Sequence, residues 1–185
     1  MTARLQNIIS FLSQMDRQLE GDEKVNLYLI GGGAITLFYD DENRTSDLDL
    51  IDPPDKISEI GSEKSALAQA NNIYVSSLAE INFSVPADWR EKCHIVNLGL
   101  KQICIYVPCV EDIVLGKMAR LEPKDFEDII ALRDKGVLHH QRLLRRLRQN
   151  RNELKELGYR NNSILLFKQV FNFKLRFRKG EIVTE

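Results

Sequence analysis

Apolar positions recur every three or four residues through Leu5, Ile8, Ile9, Leu12 and Met15, so residues 2–19 are expected to form an amphipathic helix. The next apolar run, "VNLYLI", is continuous and carries β-branched residues, the pattern of a buried strand. Gly31, Gly32 and Gly33 interrupt it, and "AITLFY" then reads as a short helix. The polar stretch "DDENRTS" turns the chain into a second strand, "DLDLI", which Pro53 and Pro54 close. "ISEIGSEKSALAQAN" has helical character, and "IYVSS" and "AEINF" are strand candidates. "VPADWREK" suggests a helical turn from Pro86. "CHIVNLGLKQICIYV" suggests two strands joined in a hairpin at Gly99.

Beyond Pro108 the period lengthens. Val110, Val114, Met118 and Leu121 fall at helical spacing, and "PKDFEDIIALRDKG" opens near a proline and ends on a glycine. "HHQRLLRRLRQNRNELKEL" is expected to be a third helix stopped by Gly158. "NNSILLFKQVFNFKLRFRK" is expected to be a fourth, with Phe167, Phe171, Phe173 and Phe177 mostly in the core. The chain is therefore expected to be α+β. A small mixed sheet with helices occupies 1–108, and a helical region with a basic face occupies 109–185.

Composition adds little until charge is followed along the chain. Residues 1–132 hold 12 Lys+Arg and 22 Asp+Glu, whereas residues 133–179 hold 14 Lys+Arg and 3 Asp+Glu. An acidic front suits cations, and a basic back suits a polyanion. Arg142, Arg145, Arg146, Arg148 and Arg151 share a helix with Leu143, Leu144, Leu147 and Leu154, a face able to track RNA phosphates. No stretch is long and apolar enough to cross a bilayer, the N-terminus lacks a signal-peptide pattern, and no membrane partner is expected. Cys93, Cys104 and Cys109 lack zinc-site spacing and read as buried thiols of a reducing cytoplasm. His139 and His140 open a helix without an acidic or thiol partner nearby, and Trp89 reads as a packing residue.

The candidate chemistry lies on the second strand. Side chains alternate along a strand, so Asp47 and Asp49 project to one side, roughly 7 Å apart at Cα, while Leu48 and Leu50 point into the core. Two ionised carboxylates so close disfavour each other unless a cation lies between them, and magnesium is a hard ion that takes carboxylate oxygens. Gly31, Gly32 and Gly33 between a strand and a helix allow a triphosphate to approach the backbone.

"IGGGA" followed by "RTSDLDL" resembles the motif of the DNA polymerase β-type nucleotidyltransferase superfamily, and "EDIVLGKMARLEPKDFEDIIAL" resembles the lysine-plus-"R..KD..D" segment of AbiEii-type and MenT-like toxin nucleotidyltransferases. The resemblance implies a transferase that binds ATP or another nucleoside triphosphate. It would move the nucleoside monophosphate to a macromolecular acceptor, with tRNA the leading one. Gly31 and Gly32 would hold the triphosphate with Thr45 or Ser46, and Asp47 and Asp49 would bind Mg²⁺ in a two-metal site. Lys117 would pair with triphosphate oxygens, and Asp125 or Asp128 would orient it or approach the acceptor. The superfamily takes a third carboxylate from a later strand, for which Glu80 and Asp88 are the candidates. Toxin–antitoxin or phage-defence relatives imply a cognate antitoxin as partner, with RNA held through residues 133–179. The alternative is a degenerate fold that only binds RNA or a partner. A small cationic acceptor fits poorly with so basic a tail.

Overall fold

The computed structural model describes residues 2–21, 24–40, 45–178 and 181–183, so Asp41–Arg44 of the expected polar turn lie outside the described residues. Helix α1 (Ala3–Gln18) starts where Thr2 accepts the Leu5 N–H, and its stripe of Ile8, Phe11, Leu12 and Met15 is buried. Strand β1 (Val25–Ile30) runs into a short helix α2 (Gly31–Ala34), and a π-helical turn follows over Ile35–Tyr39. Strands β2 (Asp47–Ile51), β3 (Tyr74–Leu78), β4 (His94–Val96) and β5 (Ile103–Val107) complete a mixed sheet ordered β3-β2-β1-β5-β4. β1 is antiparallel to β2 and parallel to β5, β2 is parallel to β3, and β4 and β5 form an antiparallel hairpin.

Alternation explains the layering. Leu27, Leu29, Leu48, Leu50, Val75, Ile103, Ile105 and Val107 are all buried, whereas Asp47, Asp49 and Ser76 on the opposite face are only half-buried. Val107 gives way to Pro108, whose carbonyl accepts a 2.7 Å hydrogen bond from the Tyr39 hydroxyl. Asp16 fixes the approach to β5: its carboxylate accepts backbone N–H bonds from Lys101, Gln102 and Ile103 at 2.8–3.0 Å. Burial alone would raise its pKa, but these three donors outweigh it and hold the carboxyl below its usual value. A depressed folded pKa stabilises above the unfolded value and is lost as pH falls through the folded one. Thermal melts from pH 7 downward are therefore expected to show a loss of Tm on the acid side that Asp16→Asn flattens.

The region expected as one helix over 57–71 is two, α3 (Asp55–Ile60) and α4 (Ala66–Asn71). Gly61 separates them. A side chain there would collide with Val75 and Met15, and its carbonyl instead accepts the Val75 N–H at 2.7 Å. "AEINF" is not a strand but a single 3₁₀ turn over Glu80–Asn82, with Ile81 exposed. The cysteines form no disulfide among the described residues and are half-buried rather than buried.

Chain contacts divide the molecule into two compact units, one of Met1–Asn82 and Lys92–Pro108, the other of Phe83–Glu91 and Cys109–Glu185. The second unit contains α5 (Val110–Met118), α6 (Pro123–Asp134), α7 (His140–Gln149) and α8 (Leu157–Phe171). Residues 83–91 belong with it because Phe83 fills the space left by Gly116 and packs edge-on against the buried Trp89. The expected third helix stops at Gln149. Asn150 turns the chain there, its buried amide donating to the Ser84 carbonyl at 2.9 Å and to the Tyr159 hydroxyl at 3.1 Å. Gly158 therefore lies inside α8 rather than ending its predecessor. The expected fourth helix ends at Phe171, with Asn172 in the left-handed region. Phe177 lies on strand β6 (Arg176–Arg178), which pairs with β7 (Glu181–Val183).

Candidate active site

Gly31 lies at the junction of β1 and α2 with φ +64°, a conformation that costs an L-residue about 1–2 kcal/mol. Asp49 stands opposite Ile30 in the β1–β2 register, which brings its carboxylate beside that junction. A Cβ on Gly31 would lie 2.5 Å from Asp49 Oδ2, so the glycine is needed both for its backbone angle and for the space. Thr36 donates to the Gly32 carbonyl at 2.9 Å and steadies the turn that follows. Asp47 is oriented differently: the buried Thr45 donates its hydroxyl to Asp47 Oδ1 at 2.8 Å. Thr45 is thus a positioning group for the acid, and Ser46 is exposed.

The third carboxylate expected on a neighbouring strand is not on β3. That strand pairs Tyr74 with Asp47 and Ser76 with Asp49. Glu80 is exposed in the turn after β3. Asp88, the other candidate, lies in the second unit and is bound to Arg146 at 2.5 Å. Tyr74 was missed by sequence reasoning, because its position beside Asp47 follows only from the parallel β2–β3 register. The Asp47 charge, then burial, Glu63 and Asp49, raise its phenolic pKa. Among the described residues no group of three or more His, Cys, Asp or Glu side chains could hold a metal. The two carboxylates nevertheless fit magnesium, which is commonly held by one or two protein carboxylates plus water and substrate phosphate.

The lysine segment forms a separate cluster within the second unit. Lys117 is buried and donates to Asp125 Oδ1 at 2.7 Å and to Asp128 Oδ2 at 2.8 Å. Asp125 also accepts from Arg120 Nε at 3.1 Å and from the Glu122 N–H at 3.0 Å, at the start of α6. Burial would raise its pKa, but hydrogen bonds from Arg120 and Lys117 and the lysine charge outweigh that and lower it. Asp125 and Asp128 are both buried and are internal acceptors for one ammonium. Lys117 binds two carboxylates rather than lying open to solvent.

Arg146 departs from the expected basic face. It is buried, and it grips Asp112 through two hydrogen bonds of 2.6 and 2.8 Å while binding Asp88 and Gln149 with its remaining nitrogen. Arg142, Arg145, Arg148 and Arg151 are exposed. Cys109 is bound to the same Asp112 at 3.2 Å, and burial followed by the Asp112 charge pushes its thiol up to about 12. That thiol stays protonated and unreactive near neutrality.

A mixed sheet in which a strand–glycine–helix junction receives the second acid of an Asp-x-Asp strand is a nucleotidyltransferase-like arrangement. Comparison with family models agrees at that level. The chain belongs to the family described as nucleotidyltransferase of unknown function (DUF6036), whose model matches residues 3–174. No curated protein and no solved structure gives a significant match. No helix among the described residues is long and apolar enough to cross a membrane.

Proposed function

We propose that the chain is a magnesium-dependent nucleotidyltransferase in which an RNA hydroxyl displaces pyrophosphate from the α-phosphorus of a nucleoside triphosphate. The observation that carries this reading is the approach of the Asp49 carboxylate to Gly31, so close that no side chain fits between them. It puts an acid at the place where β1 turns into α2. Asp47, locked by Thr45, supplies the second carboxylate from the same face of β2. Gly31 and Gly32 leave the backbone open to phosphate oxygens. Magnesium bound by this pair would polarise the α-phosphate and neutralise the charge of the departing pyrophosphate. RNA as acceptor is supported by the 14 Lys+Arg against 3 Asp+Glu in residues 133–179. A role as the toxin of an antitoxin-controlled or phage-defence pair rests on the resemblance alone, and growth arrest on induced expression, relieved by Asp47→Asn, tests it.

The deciding experiment incubates the protein with each labelled NTP, Mg²⁺ and bulk tRNA. Label on RNA supports the reading, and no label on RNA with any NTP overturns it. Gly31→Ala should fold with a Tm lowered by a few degrees, from roughly 1–2 kcal/mol of backbone strain. The added Cβ should also displace the Asp49 carboxylate and remove most of the transfer. Unchanged transfer by a folded Gly31→Ala would show that the close approach has no chemical role.

A second reading has its own support in β3, which presents Tyr74 and Ser76 where a third acid was expected. On that reading the fold binds a nucleotide without turning it over. Calorimetry that finds NTP binding without Mg²⁺, alongside no transfer, would decide for it.

A further inference from the structure

A cavity of about 430 Å³ opens within the second unit at the corner between α7 and α8. Arg148, Arg151, Lys155 and Arg160 line it, and among the described lining residues Glu181 is the one acid. Leu154 and Ile182 supply apolar wall, Leu154 being itself buried. Its size is that of a small-ligand site. The corner is fixed from beneath by the Asn150 amide, which ties Ser84 to Tyr159. The cations are thus mounted on a braced turn rather than strung along a loose tail.

One residue that lines the cavity has an unmet need. The Nε of Arg160 is buried and has no hydrogen-bond partner among the described residues. A buried donor without an acceptor is unfavourable, and guanidinium groups match phosphate oxygens in geometry as well as charge. Arg151 and Lys155 are exposed at the mouth, where they can meet a backbone from solution. A site that pairs such cations with an apolar wall fits a nucleotide unit, its phosphate on the cations and its base against the wall that Ile182 and the largely buried Leu154 supply.

We propose that this cavity of the second unit seats one unpaired nucleotide of the RNA acceptor. The inference rests on the RNA-acceptor reading and sharpens it from a basic face to a defined pocket. Arg142 and Arg145, exposed on α7 outside the pocket lining, then contribute only diffuse attraction.

The test measures binding of the full chain to bulk tRNA and to a short single-stranded RNA over a range of salt. Three variants are compared: Arg151→Glu with Lys155→Glu, Arg160→Gln alone, and Arg142→Glu with Arg145→Glu. The proposal expects the first to weaken RNA binding by about tenfold or more and to flatten its salt dependence. Arg160→Gln should weaken it severalfold, and the third pair by clearly less than the first. Equal losses from the two double variants would mean a diffuse basic surface and would overturn the pocket. ATP serves as the competing source of phosphate. If the pocket variants lose ATP binding and keep RNA binding, the assignment to RNA is wrong. Circular dichroism confirms folding, and because Arg151 and Lys155 are exposed their variants remain informative should Arg160→Gln fail to fold. Failure here is separable from failure of the catalytic reading. RNA labelled normally by pocket variants that bind RNA normally sinks only the pocket. Pocket-dependent RNA binding by a protein that transfers no label sinks only the chemistry.

Discussion

Asp47→Asn and Asp49→Asn are each expected to reduce transfer of label from NTP to RNA by about a thousandfold or more, since a divalent ion's charge stabilisation is worth several kcal/mol. Asparagine keeps the shape of the side chain, and the Thr45 hydroxyl can still donate to an oxygen at position 47. The loss would therefore reflect charge rather than collapse. Stability separates the two explanations. Without metal, the wild-type acids share one face of β2, so removing one charge should leave the Tm unchanged or raise it by about a few degrees. With Mn²⁺ or Mg²⁺ added, the wild type should gain stability that neither variant gains. A variant that loses activity together with several degrees of metal-free Tm would show instead that the acids hold the strand in place.

The second large effect lies in the other unit. Lys117→Met should destabilise it by about 3–5 kcal/mol, because Asp125 and Asp128 would remain buried without their shared ammonium. Denaturant unfolding reads this directly. Adding Asp125→Asn and Asp128→Asn to Lys117→Met should return most of the loss, as replacing a whole buried charge cluster usually does. The triple variant also asks whether the lysine has a chemical task. A stable but inactive triple variant would assign one to the cluster, whereas a stable and active one would make the cluster purely architectural. A Lys117→Met protein as stable as the wild type would refute the buried network.

What could be read beforehand, and what could not, follows from the range of the interactions concerned. β1, β2 and α1 announce themselves because each buries a face with a regular period, visible in Leu27 and Leu29, Leu48 and Leu50, or Ile8 to Met15. Asp47 and Asp49 stand out for the same reason, as charges at a fixed phase of a strand. The failures concern contacts between residues far apart in sequence. Nothing near Gly61 says that Val75 will occupy the space beside it. Nothing near Arg146 says that Asp112 and Asp88 will claim it, since its neighbours Arg145 and Arg148 have the same composition and face water. Ile81 looked like strand because it is apolar, yet it is exposed in a turn. The helix breaks at Asn150 and Asn172 depend on a buried amide and a left-handed residue, neither of which disturbs the local hydrophobic pattern.

Tyr74 gives the acid pair an optical voice. Its phenol holds its proton more tightly because of the charge of Asp47 beside it, followed by burial, Glu63 and Asp49. An ion seated among those oxygens would offset the part due to Asp47 and Asp49, so the phenol should ionise more readily as the ion binds. Magnesium is colourless and silent to most spectroscopies. An ultraviolet titration of the wild type, read as a difference from Tyr74→Phe, would follow its arrival without any substrate present.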